Sequence, residues 1–551
     1  MKTNYLKNSI AIFFTILASF YSTKAICQDV YGSSRKQWLS IAEELKPNLT
    51  KTVETPQRIV SLVEDKSSFQ GWKTVSGEPL TDLYEKSFKE KKTVILDFGK
   101  HLTGYFSFKV TPLRGTPDAP LKFKLIFGEV PSEIATPFDP YKGDLSRAWL
   151  QDEIITVMDV PSTVNISRRM AFRYVKIELL GSSQYYDFKI EQAQCTAVTS
   201  ANSTPTALNS STDVMIKKID SIGLNTLKEC MQTVYEDGPK RDRRLWIGDL
   251  YLESLANSYS FKNHDLTKRC LYLLAGLSDQ NGYLVGTVFE TPEPHPQSGQ
   301  HLLDYSFLYN VTLKEYLTAT NDYETAKSLW PVAKKQIEIA QSYVLPNGMM
   351  DFEKAKKDWW LFFDWNEALD RQTALQGLTI YTLKQTYELA KLLKKEDELK
   401  EIPDLIKKMS SASKANLYDK KSGLFTSGDK KQISYASQIW MVLANVTTPA
   451  EAQLALKNIT NHKDAVIPGA PYLYHFFISA LIESGLKAEA RQALTTYWGG
   501  MVAKGADTFW EVYNPNDEYL SPYHFFPINS YCHAWSCTPV YFIRKYPEIF
   551  Q

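Results

Sequence analysis

The chain has 551 residues and a mass of 62.9 kDa, and 44% of its residues are hydrophobic, which is enough for about two domains with sizeable cores. Its 63 basic and 62 acidic side chains leave a formal net charge of +1. This balance excludes a strong field for polyanions, so we expect no nucleic-acid partner.

The first 27 residues predict a secretory signal peptide. Lys2 and Lys7 precede an apolar run from Ile10 to Phe20, which is too short to span a bilayer. No later apolar run is long enough either, so we expect no membrane span. The residues before Cys27 fit a lipobox badly, which makes a lipoprotein the less favoured alternative. We expect a mature chain that is periplasmic or secreted.

The next part of the chain has the texture of β-strands. After a lead segment over residues 28–54, residues 55–200 alternate apolar and polar side chains, as in "TVILDFGKHLTGYFSFKV" and "LKFKLIFGEV". This alternation predicts an antiparallel β-sandwich domain. Residues 201–212 are polar and rich in Ser and Thr, so they predict a linker.

Residues 213–551 have helical periodicity almost throughout. About a dozen apolar periods of helical length follow one another, and their succession in pairs predicts an (α/α)6 toroid with six inner and six outer helices. The expected fold class is therefore a multidomain β plus α protein, with an N-terminal antiparallel β-sandwich followed by an (α/α)6 toroid. Loops at one end of such a toroid surround a pocket.

The cysteines and small motifs give no sign of a metal or cofactor. Cleavage after residue 27 leaves an odd number of cysteines without a C-x-x-C pair, so we expect small buried thiols rather than a disulfide framework. We expect no metal, since the histidines have no ligand spacing, and no cofactor, since there is no phosphate-binding loop. The five cysteines are Cys195, Cys230, Cys270, Cys532 and Cys537.

A charged loop over residues 236–254 is the first candidate for chemistry. Its aspartates could belong to a solvated turn, with Asp249 as a helix N-cap. Alternatively, guanidinium groups could hold the carboxylates in place and set their pKa values, which a Trp within the cluster favours. The residues concerned are Asp237, Arg241, Asp242, Arg243, Arg244, Trp246 and Asp249.

Two further stretches combine carboxylates with aromatic residues. In "GADTFWEVY", Glu511 follows Trp510 and is either a surface residue or a carboxylate with restricted access to water. In "DWWLFFDWNEALD", three tryptophans surround Asp364 and predict a sugar-stacking wall, with core packing as the alternative. These are Trp359, Trp360 and Trp365. Asp304 near the start of a helix adds a polar contact, and His533 is interpreted as a hydrogen-bonding wall residue rather than a ligand.

Four motifs in order resemble those of the bacterial α-L-rhamnosidases, which are inverting glycoside hydrolases with an (α/α)6 barrel. "DGPKRDRRLWIGD" resembles D-C-P-x-R-E-R-x-G-W-x-G-D without a gap, "GADTFWE" resembles G-A-T-T-x-W-E, and "CHAWSCTPVYFI" resembles C-H-A-W-S-A-G-P. "FGEV" and "FRYVKIE" are similar to the preceding β-sandwich. The resemblance covers about residues 60 to 545, up to the end of the barrel and without the family's usual C-terminal β domain.

The resemblance implies roles for individual residues. Asp242 takes the place of the general acid and Glu511 that of the general base. Asp237, Arg241, Trp246, Asp249, Trp365 and His533 take the places of pocket residues, and we add Asp304, Trp359, Trp360, Asp364 and Trp510 as substrate-binding residues.

The sequence departs from the family pattern at several motif positions. Asp242 replaces Glu and is one methylene shorter, and Gly238, Leu245, Phe363 and Cys537 replace Cys, Gly, Gly and Gly. We interpret the chain as an exported, inverting exo-glycosidase for terminal α-L-rhamnose or a close deoxy sugar, with a carbohydrate as its partner. The alternatives are a hydrolase for another sugar, a uronate-directed lyase that uses His533 and Tyr531, and a carbohydrate-binding relative without catalysis.

Overall fold

A computed structural model describes residues 29–297 and 299–551. The signal peptide predicted over residues 1–27 lies outside the described residues. The lead segment that follows it contains a helix, Ser34–Glu44. Trp38 of this helix is buried, and the helix packs against the toroid helix His264–Gly276. Within the described ranges, no helix is both long and apolar enough to cross a membrane.

The N-terminal part is a nine-stranded antiparallel sheet. The longest strand, β4 (Thr93–Arg114), pairs with β2 (Arg58–Glu64), β7 (Ser162–Asn165), β8 (Met170–Gly181) and β9 (Asp187–Thr199). Its register against β8 shifts between Asp97 and Leu102, as a β-bulge does. The alternation in the sequence places one face of most of these strands in a shared aromatic and aliphatic core, to which β1 (Thr50–Glu54) and β3 (Trp72–Ser76) contribute no buried residue. The strands are β1 Thr50–Glu54, β2 Arg58–Glu64, β3 Trp72–Ser76, β4 Thr93–Arg114, β5 Leu121–Gly128, β6 Asp152–Val157, β7 Ser162–Asn165, β8 Met170–Gly181 and β9 Asp187–Thr199.

The C-terminal part is a ring of helices in which inner and outer helices alternate along the chain. The inner helices are Ile247–Ser258, Leu303–Thr320, Gln372–Leu393, Tyr435–Leu443, Pro471–Glu483 and Pro539–Lys545. The outer helices are Val214–Cys230, His264–Gly276, Tyr323–Ser342, Ile402–Leu417, Pro449–Thr460 and Lys487–Ala503. The first five inner helices contact one another in chain order, and Pro539–Lys545 closes the ring on Ile247–Ser258. At the remaining junction, His475 of Pro471–Glu483 packs on Phe542 of Pro539–Lys545 at 4.9 Å between ring centroids. The predicted fold class is confirmed.

Short strands and short helices lie in the loops of both the sheet domain and the toroid. Two small three-stranded sheets lie in the loops of the toroid, and one of them fixes the end of the charged loop by pairing Trp246 with Thr287. The short strands are Leu245–Trp246, Thr287–Phe289, His295–Pro296, Tyr418–Asp419, Leu424–Ser427 and Gln432–Ile433. The remaining α-helices are Leu80–Glu85, Phe88–Lys91, Pro131–Ala135, Phe352–Asp358 and Pro547–Phe550.

The sandwich and the toroid meet through buried charges as well as apolar packing. The Lys240 ammonium lies 2.6 Å from Glu133 and 3.0 Å from Glu129, both from the sandwich. Glu129 also accepts a hydrogen bond from the Tyr531 N–H at 2.7 Å. A separate apolar cluster joins sandwich residues such as Ile126 to Tyr523 of the toroid. The sandwich therefore reaches the loops that surround the toroid's central cavity.

The five cysteines of the described ranges are free and buried, in agreement with the expectation of buried thiols. Cys230 and Cys532 approach each other to 4.0 Å between their sulfur atoms. Cys532 and Cys537, which lie five residues apart, form no disulfide with each other.

Candidate active site

A cavity of about 320 Å³ opens among the loops at one end of the toroid. This volume lies in the range of small-ligand sites. Its lining combines carboxylates, arginines and aromatic side chains from four toroid loops with two residues from the sandwich. The lining residues are Leu145, Trp149, Asp237, Arg241, Asp242, Arg244, Trp246, Asp249, Gln297, Gln300, Leu302, Tyr305, Trp360, Phe362, Trp365, Glu511, Tyr523, His533 and Trp535.

The charged loop folds back on itself and turns Asp242 toward the cavity. Asp237 fixes both ends of this turn, because its N–H donates to the Arg244 carbonyl and its carboxylate accepts the Arg244 N–H at 3.1 Å. Asp242 and Arg243 have positive φ values of 56° and 54°. Asp is among the residues that adopt this left-handed conformation most readily. The loop is therefore the floor of the cavity and not a solvated surface.

Gly238 is required by the close packing of this loop. A Cβ atom at this position would lie 2.5 Å from the Ser530 hydroxyl and 3.2 Å from the Cys532 carbonyl. Here the neighbouring loop occupies the space that a side chain would need, so the family's Cys would not fit at position 238 unless Ser530 moved.

Asp249 lies in the first turn of the helix Ile247–Ser258, whose N-cap is Trp246. The alternative in which Asp249 caps this helix is therefore wrong. Its carboxylate lies 3.4 Å from His533 Nε2, and both side chains are 3% exposed. Burial raises the pKa of Asp249. This pair forms one corner of the cavity floor.

Arg241 connects the two carboxylates to which the sequence assigns catalysis. One guanidinium nitrogen lies 3.3 Å from Asp242, and another contacts Glu511. Nε donates to the Ile528 carbonyl at 3.1 Å, and the guanidinium stacks over the Tyr523 ring. Because both carboxylates contact one planar guanidinium, their nearest oxygens lie within about 8 Å of each other.

Glu511 is buried and held in its ionised form. It accepts hydrogen bonds from Arg241, from the Tyr523 hydroxyl at 2.5 Å and from the Ser530 N–H at 3.2 Å. Burial alone would raise its pKa, but the charges of Arg241 and His533 and the Tyr523 hydrogen bond outweigh burial and lower the pKa to about 2. Glu511 is a carboxylate at any pH near neutrality.

Asp237 has the opposite electrostatic environment. It is 3% exposed, and burial together with the charges of Asp242 and Asp249 raises its pKa well above the ordinary value. A neutral carboxyl group can both donate and accept hydrogen bonds. Asp237 is therefore suited to bind a hydroxyl group, and it is also a second candidate for the proton donor.

Aromatic side chains form the walls above this floor. Phe362 stacks on Trp535 at 5.7 Å between centroids and meets Trp365 edge-on at 4.9 Å. Trp246 meets Trp360 edge-on at 6.4 Å, and Trp360 is 43% exposed, which places it at the mouth. Flat apolar walls above a polar floor suit the two faces of a sugar ring.

Several buried polar atoms along the cavity have no hydrogen-bond partner among residues 29–297 and 299–551. Arg244 Nε and Trp246 Nε1 are unused donors, and Gln300 Oε1 is an unused acceptor. Buried polar groups are normally satisfied, so these atoms are available to a ligand. The hydroxyl groups of one monosaccharide could satisfy donors and acceptors together.

The structure brings together nine of the residues selected from the sequence. Asp237, Arg241, Asp242, Trp246, Asp249, Trp360, Trp365, Glu511 and His533 all line the cavity. The described residues contain no group of three or more His, Cys, Asp and Glu side chains that could hold a metal ion.

Four residues predicted to contact substrate, Asp304, Trp359, Asp364 and Trp510, do not line this cavity. The Asp304 carboxylate accepts the N–H groups of Phe362 and Phe363 at 3.3 Å, and its burial raises its pKa to about 6. Trp359 donates to the Tyr343 hydroxyl at 2.7 Å. Both residues support the wall loop from outside the cavity.

Asp364 and Trp510 also point away from this cavity. Asp364 accepts the Gly469 N–H at 2.6 Å. Trp510 stacks on Phe69 of the sandwich at 4.0 Å between centroids. Trp510 holds this loop against the sandwich, whereas Asp364 also lines a neighbouring cavity. The sequence motifs alone do not distinguish such residues from those that line the cavity with Asp242 and Glu511.

Sequence reasoning missed some residues of the site. Tyr523 lies in the aromatic stretch after Glu511, but no spacing rule predicts its hydrogen bond to that carboxylate. Leu145 and Trp149 come from the sandwich, and nothing in their local sequence links them to a toroid loop. Gln297 and Gln300 have no neighbouring motif that could have identified them.

Family models and solved structures match almost the whole chain. Residues 56–197 match the glycosyl hydrolase family 78 α-rhamnosidase N-terminal domain, and residues 205–546 match the bacterial α-L-rhamnosidase six-hairpin glycosidase domain. No protein with a curated description matches. A rhamnosidase from Klebsiella oxytoca with rhamnose bound is 39% identical, with a TM-score of 0.89 over 93% of this chain and 99% of that one.

Two more distant structures share the fold. The family 78 rhamnosidase of Bacillus sp. GL1 is 19% identical, with a TM-score of 0.68 over 82% of this chain and 46% of that one. The Streptomyces avermitilis α-L-rhamnosidase complexed with L-rhamnose is 16% identical, with a TM-score of 0.62 over 91% of this chain and 44% of that one.

Proposed function

The chain belongs to the α-L-rhamnosidases of glycosyl hydrolase family 78, and on that premise we propose that it is an exported exo-glycosidase that releases terminal α-L-rhamnose with inversion. That it is a rhamnose-releasing glycoside hydrolase follows from the family. We propose, beyond this, that hydrolysis inverts the anomeric configuration, that the enzyme acts on terminal sugars and that the protein is exported.

The arrangement of Glu511, Arg241 and Asp242 around one cavity carries the proposal. Inversion requires a carboxylate that activates water on one side of the sugar and a carboxylic acid that protonates the leaving oxygen on the other, roughly 6.5 to 9.5 Å apart. The bound of about 8 Å between the nearest oxygens of Asp242 and Glu511 is compatible with this separation.

Glu511 acts as the general base in this account. Arg241 and Tyr523 fix both of its oxygens and keep it ionised. An attacking water held by Glu511 transfers its proton to the carboxylate as the bond to the anomeric carbon forms. Asp242, which is 16% exposed in its side chain, donates a proton to the departing oxygen from the cavity side.

The exo mode is supported by the shape of the cavity. The floor is closed by the charged loop and by Asp249 with His533, so one terminal sugar would occupy the closed end. The leaving group would then point to the mouth, next to Trp360. Export is supported by the predicted signal peptide, and amino-terminal sequencing of the mature protein from periplasm and medium tests it.

The lyase alternative finds less support from the described side chains. The Tyr531 hydroxyl donates to the Phe526 carbonyl and interacts with Gln70 of the sandwich, and Tyr531 does not line the cavity. A lyase would therefore lack the tyrosine base that the sequence offered. Absorbance near 235 nm, which an unsaturated product gives, remains the direct check.

Turnover of 4-nitrophenyl α-L-rhamnopyranoside tests the proposed activity. We expect release of nitrophenol, with a much lower kcat/KM on the matched α-L-fucoside and β-D-glucoside. Binding of rhamnose without turnover would favour the non-catalytic carbohydrate-binding relative. A higher kcat/KM on the glycoside of another sugar would change the assigned substrate but would leave the assignment as a glycoside hydrolase unchanged.

A further inference from the structure

A second cavity, of about 440 Å³, lies beside the catalytic cavity. The two share three wall residues, Trp360, Phe362 and Trp365. Trp360 is the most exposed aromatic residue of this shared wall. The second cavity therefore begins where the mouth of the catalytic cavity ends.

Apolar surfaces make up much of the second cavity. Tyr474 stacks on Tyr497 at 3.7 Å between centroids, so one flat ring is supported by another. Ile467 lies on the same lining and is 48% exposed, although a large aliphatic side chain gains from burial. These surfaces suit the apolar face of a sugar ring.

Polar groups with unused hydrogen-bonding capacity lie between the apolar surfaces. Arg371 donates from Nε to the Phe362 carbonyl at 3.0 Å and from Nη1 to the Leu369 carbonyl at 3.3 Å. Within the described ranges, its Nη2 makes no hydrogen bond to protein. The Asn514 side chain uses its oxygen to accept the Asn516 N–H, which leaves its amide nitrogen available.

The charges of the second cavity do not favour an anionic ligand. The Arg371 guanidinium and the Glu367 carboxylate line the same space, so their opposite charges offset each other. Burial raises the pKa of Asp364, also on the lining, to about 7, so this group is partly protonated at neutral pH. Neutral hydroxyl groups match this mixture of donors and acceptors better than a carboxylate does.

We propose that the second cavity binds the sugar residues on the leaving-group side of the scissile bond. This rests on the proposed function, because a terminal sugar in the closed catalytic cavity directs its leaving group toward Trp360 and the shared wall. The preferred substrate is then a rhamnose-terminated oligosaccharide or polysaccharide with at least two further neutral sugars, and not a small monoglycoside.

Filling the second cavity tests the proposal. The variant Asn514→Trp places a large side chain in the second cavity, away from Asp242 and Glu511. The control Asn516→Trp changes an exposed residue of the same loop that does not line either cavity. Ile467→Trp fills the cavity from a different loop. An effect that both variants share is therefore due to filling the cavity and not to a disturbance of the Asn514 loop.

Three probes are compared at pH 7: 4-nitrophenyl α-L-rhamnopyranoside, and α-L-rhamnosyl oligosaccharides with one and with three neutral sugars after the rhamnose. In the wild type, we expect kcat/KM to rise at least about tenfold between the two oligosaccharides. Asn514→Trp and Ile467→Trp should remove this rise and leave nitrophenyl turnover within about twofold. Asn516→Trp should keep it.

Two results would overturn the inference. An active wild type with equal kcat/KM on the short and long oligosaccharides would show that the second cavity binds no leaving group. A rise that survives both filling variants would assign the leaving group to another surface. A wild type that is inactive on all three probes would instead contradict the proposed function, and the inference with it.

Discussion

The Tyr523 hydroxyl donates a hydrogen bond to Oε1 of Glu511 at 2.5 Å, while Arg241 contacts the other carboxylate oxygen. Glu511 is thus fixed at both oxygens by groups that stabilise its charge. A carboxylate held in this way stays ionised and oriented although it is 1% exposed.

Tyr523→Phe should make catalysis more sensitive to acid. Glu511 has a pKa lowered to about 2, so its carboxylate form is lost only as the pH falls through that value. Removing one hydrogen bond to the charged form raises this pKa, so the acid limb of the pH dependence of kcat/KM should move to higher pH. The phenyl ring keeps the contact with Arg241.

The control for this prediction is Tyr519→Phe, at a tyrosine that is 53% exposed on the same loop. Its pH profile should match that of the wild type. A Tyr523→Phe enzyme with an unshifted acid limb would show that the hydroxyl has no effect on the ionisation of the base.

Glu511→Gln should remove the base with little effect on sugar binding. We expect kcat to fall by at least about 10³-fold with a nearly unchanged KM, because general base catalysis acts in the transition state. The substitution leaves the buried Arg241 with one charged partner, so thermal unfolding should be measured alongside. A folded variant with retained activity would move the base to another carboxylate of the cavity, and Asp249 would be tested next.

Asp242→Asn should produce a loss that depends on the leaving group. Activity on a rhamnosyl sugar, whose leaving alcohol needs a proton, should fall by at least about 10²-fold, within the usual range for general acids. Activity on the nitrophenyl glycoside should be much better retained. Asn tolerates the left-handed conformation at φ 56°, so the backbone should persist.

Two further variants locate the acid. Asp242→Glu restores the longer side chain of the family, but it places Glu in a left-handed position, which costs roughly 1–2 kcal/mol. It should keep activity where the cavity accepts the extra methylene. If Asp237→Asn shows the leaving-group dependence and Asp242→Asn does not, the proton comes from Asp237.

Lys240→Met should destabilise the junction between sandwich and toroid. It leaves the buried carboxylates Glu129 and Glu133 without their shared cation, and breaking such a pair costs about 3–5 kcal/mol. The thermal unfolding midpoint should fall clearly. Lys86→Met, at an exposed lysine paired with Asp82, should leave it unchanged.

Adding Glu133→Gln to Lys240→Met should recover part of the lost stability. Burial raises the pKa of Glu133 to about 7, so the neutral amide resembles the state this group favours without Lys240. A double variant that is less stable than Lys240→Met would mean that Glu133 has other essential partners.

The sequence predicted the architecture and several of the residues that line the cavity, because periodicity and ordered motifs depend on the path of the backbone. It did not predict which neighbour of a motif residue faces the cavity. In extended segments successive side chains point to opposite sides. Glu511 therefore faces the cavity while Trp510 packs on the sandwich, and Trp360 reaches the mouth while Trp359 lies behind it.

Contacts between distant parts of the chain could not be predicted from the sequence either. Trp149 and Leu145 line the cavity although they belong to the sandwich. The neighbouring Asp144 attaches this segment to the 521–525 loop, because the Asp144 N–H donates to the Tyr523 carbonyl at 3.1 Å. No pattern in either segment encodes this partner. The same holds for Lys240, whose buried carboxylate partners come from the sandwich.

The anomeric configuration of the first product tests the pairing of Asp242 with Glu511 most directly. Hydrolysis of 4-nitrophenyl α-L-rhamnopyranoside should be followed by proton NMR in the first minutes, before mutarotation mixes the anomers. The account predicts that β-L-rhamnose appears first, because water held by Glu511 attacks the face opposite the leaving group. The initial appearance of α-L-rhamnose would mean retention through a covalent intermediate and would contradict the account.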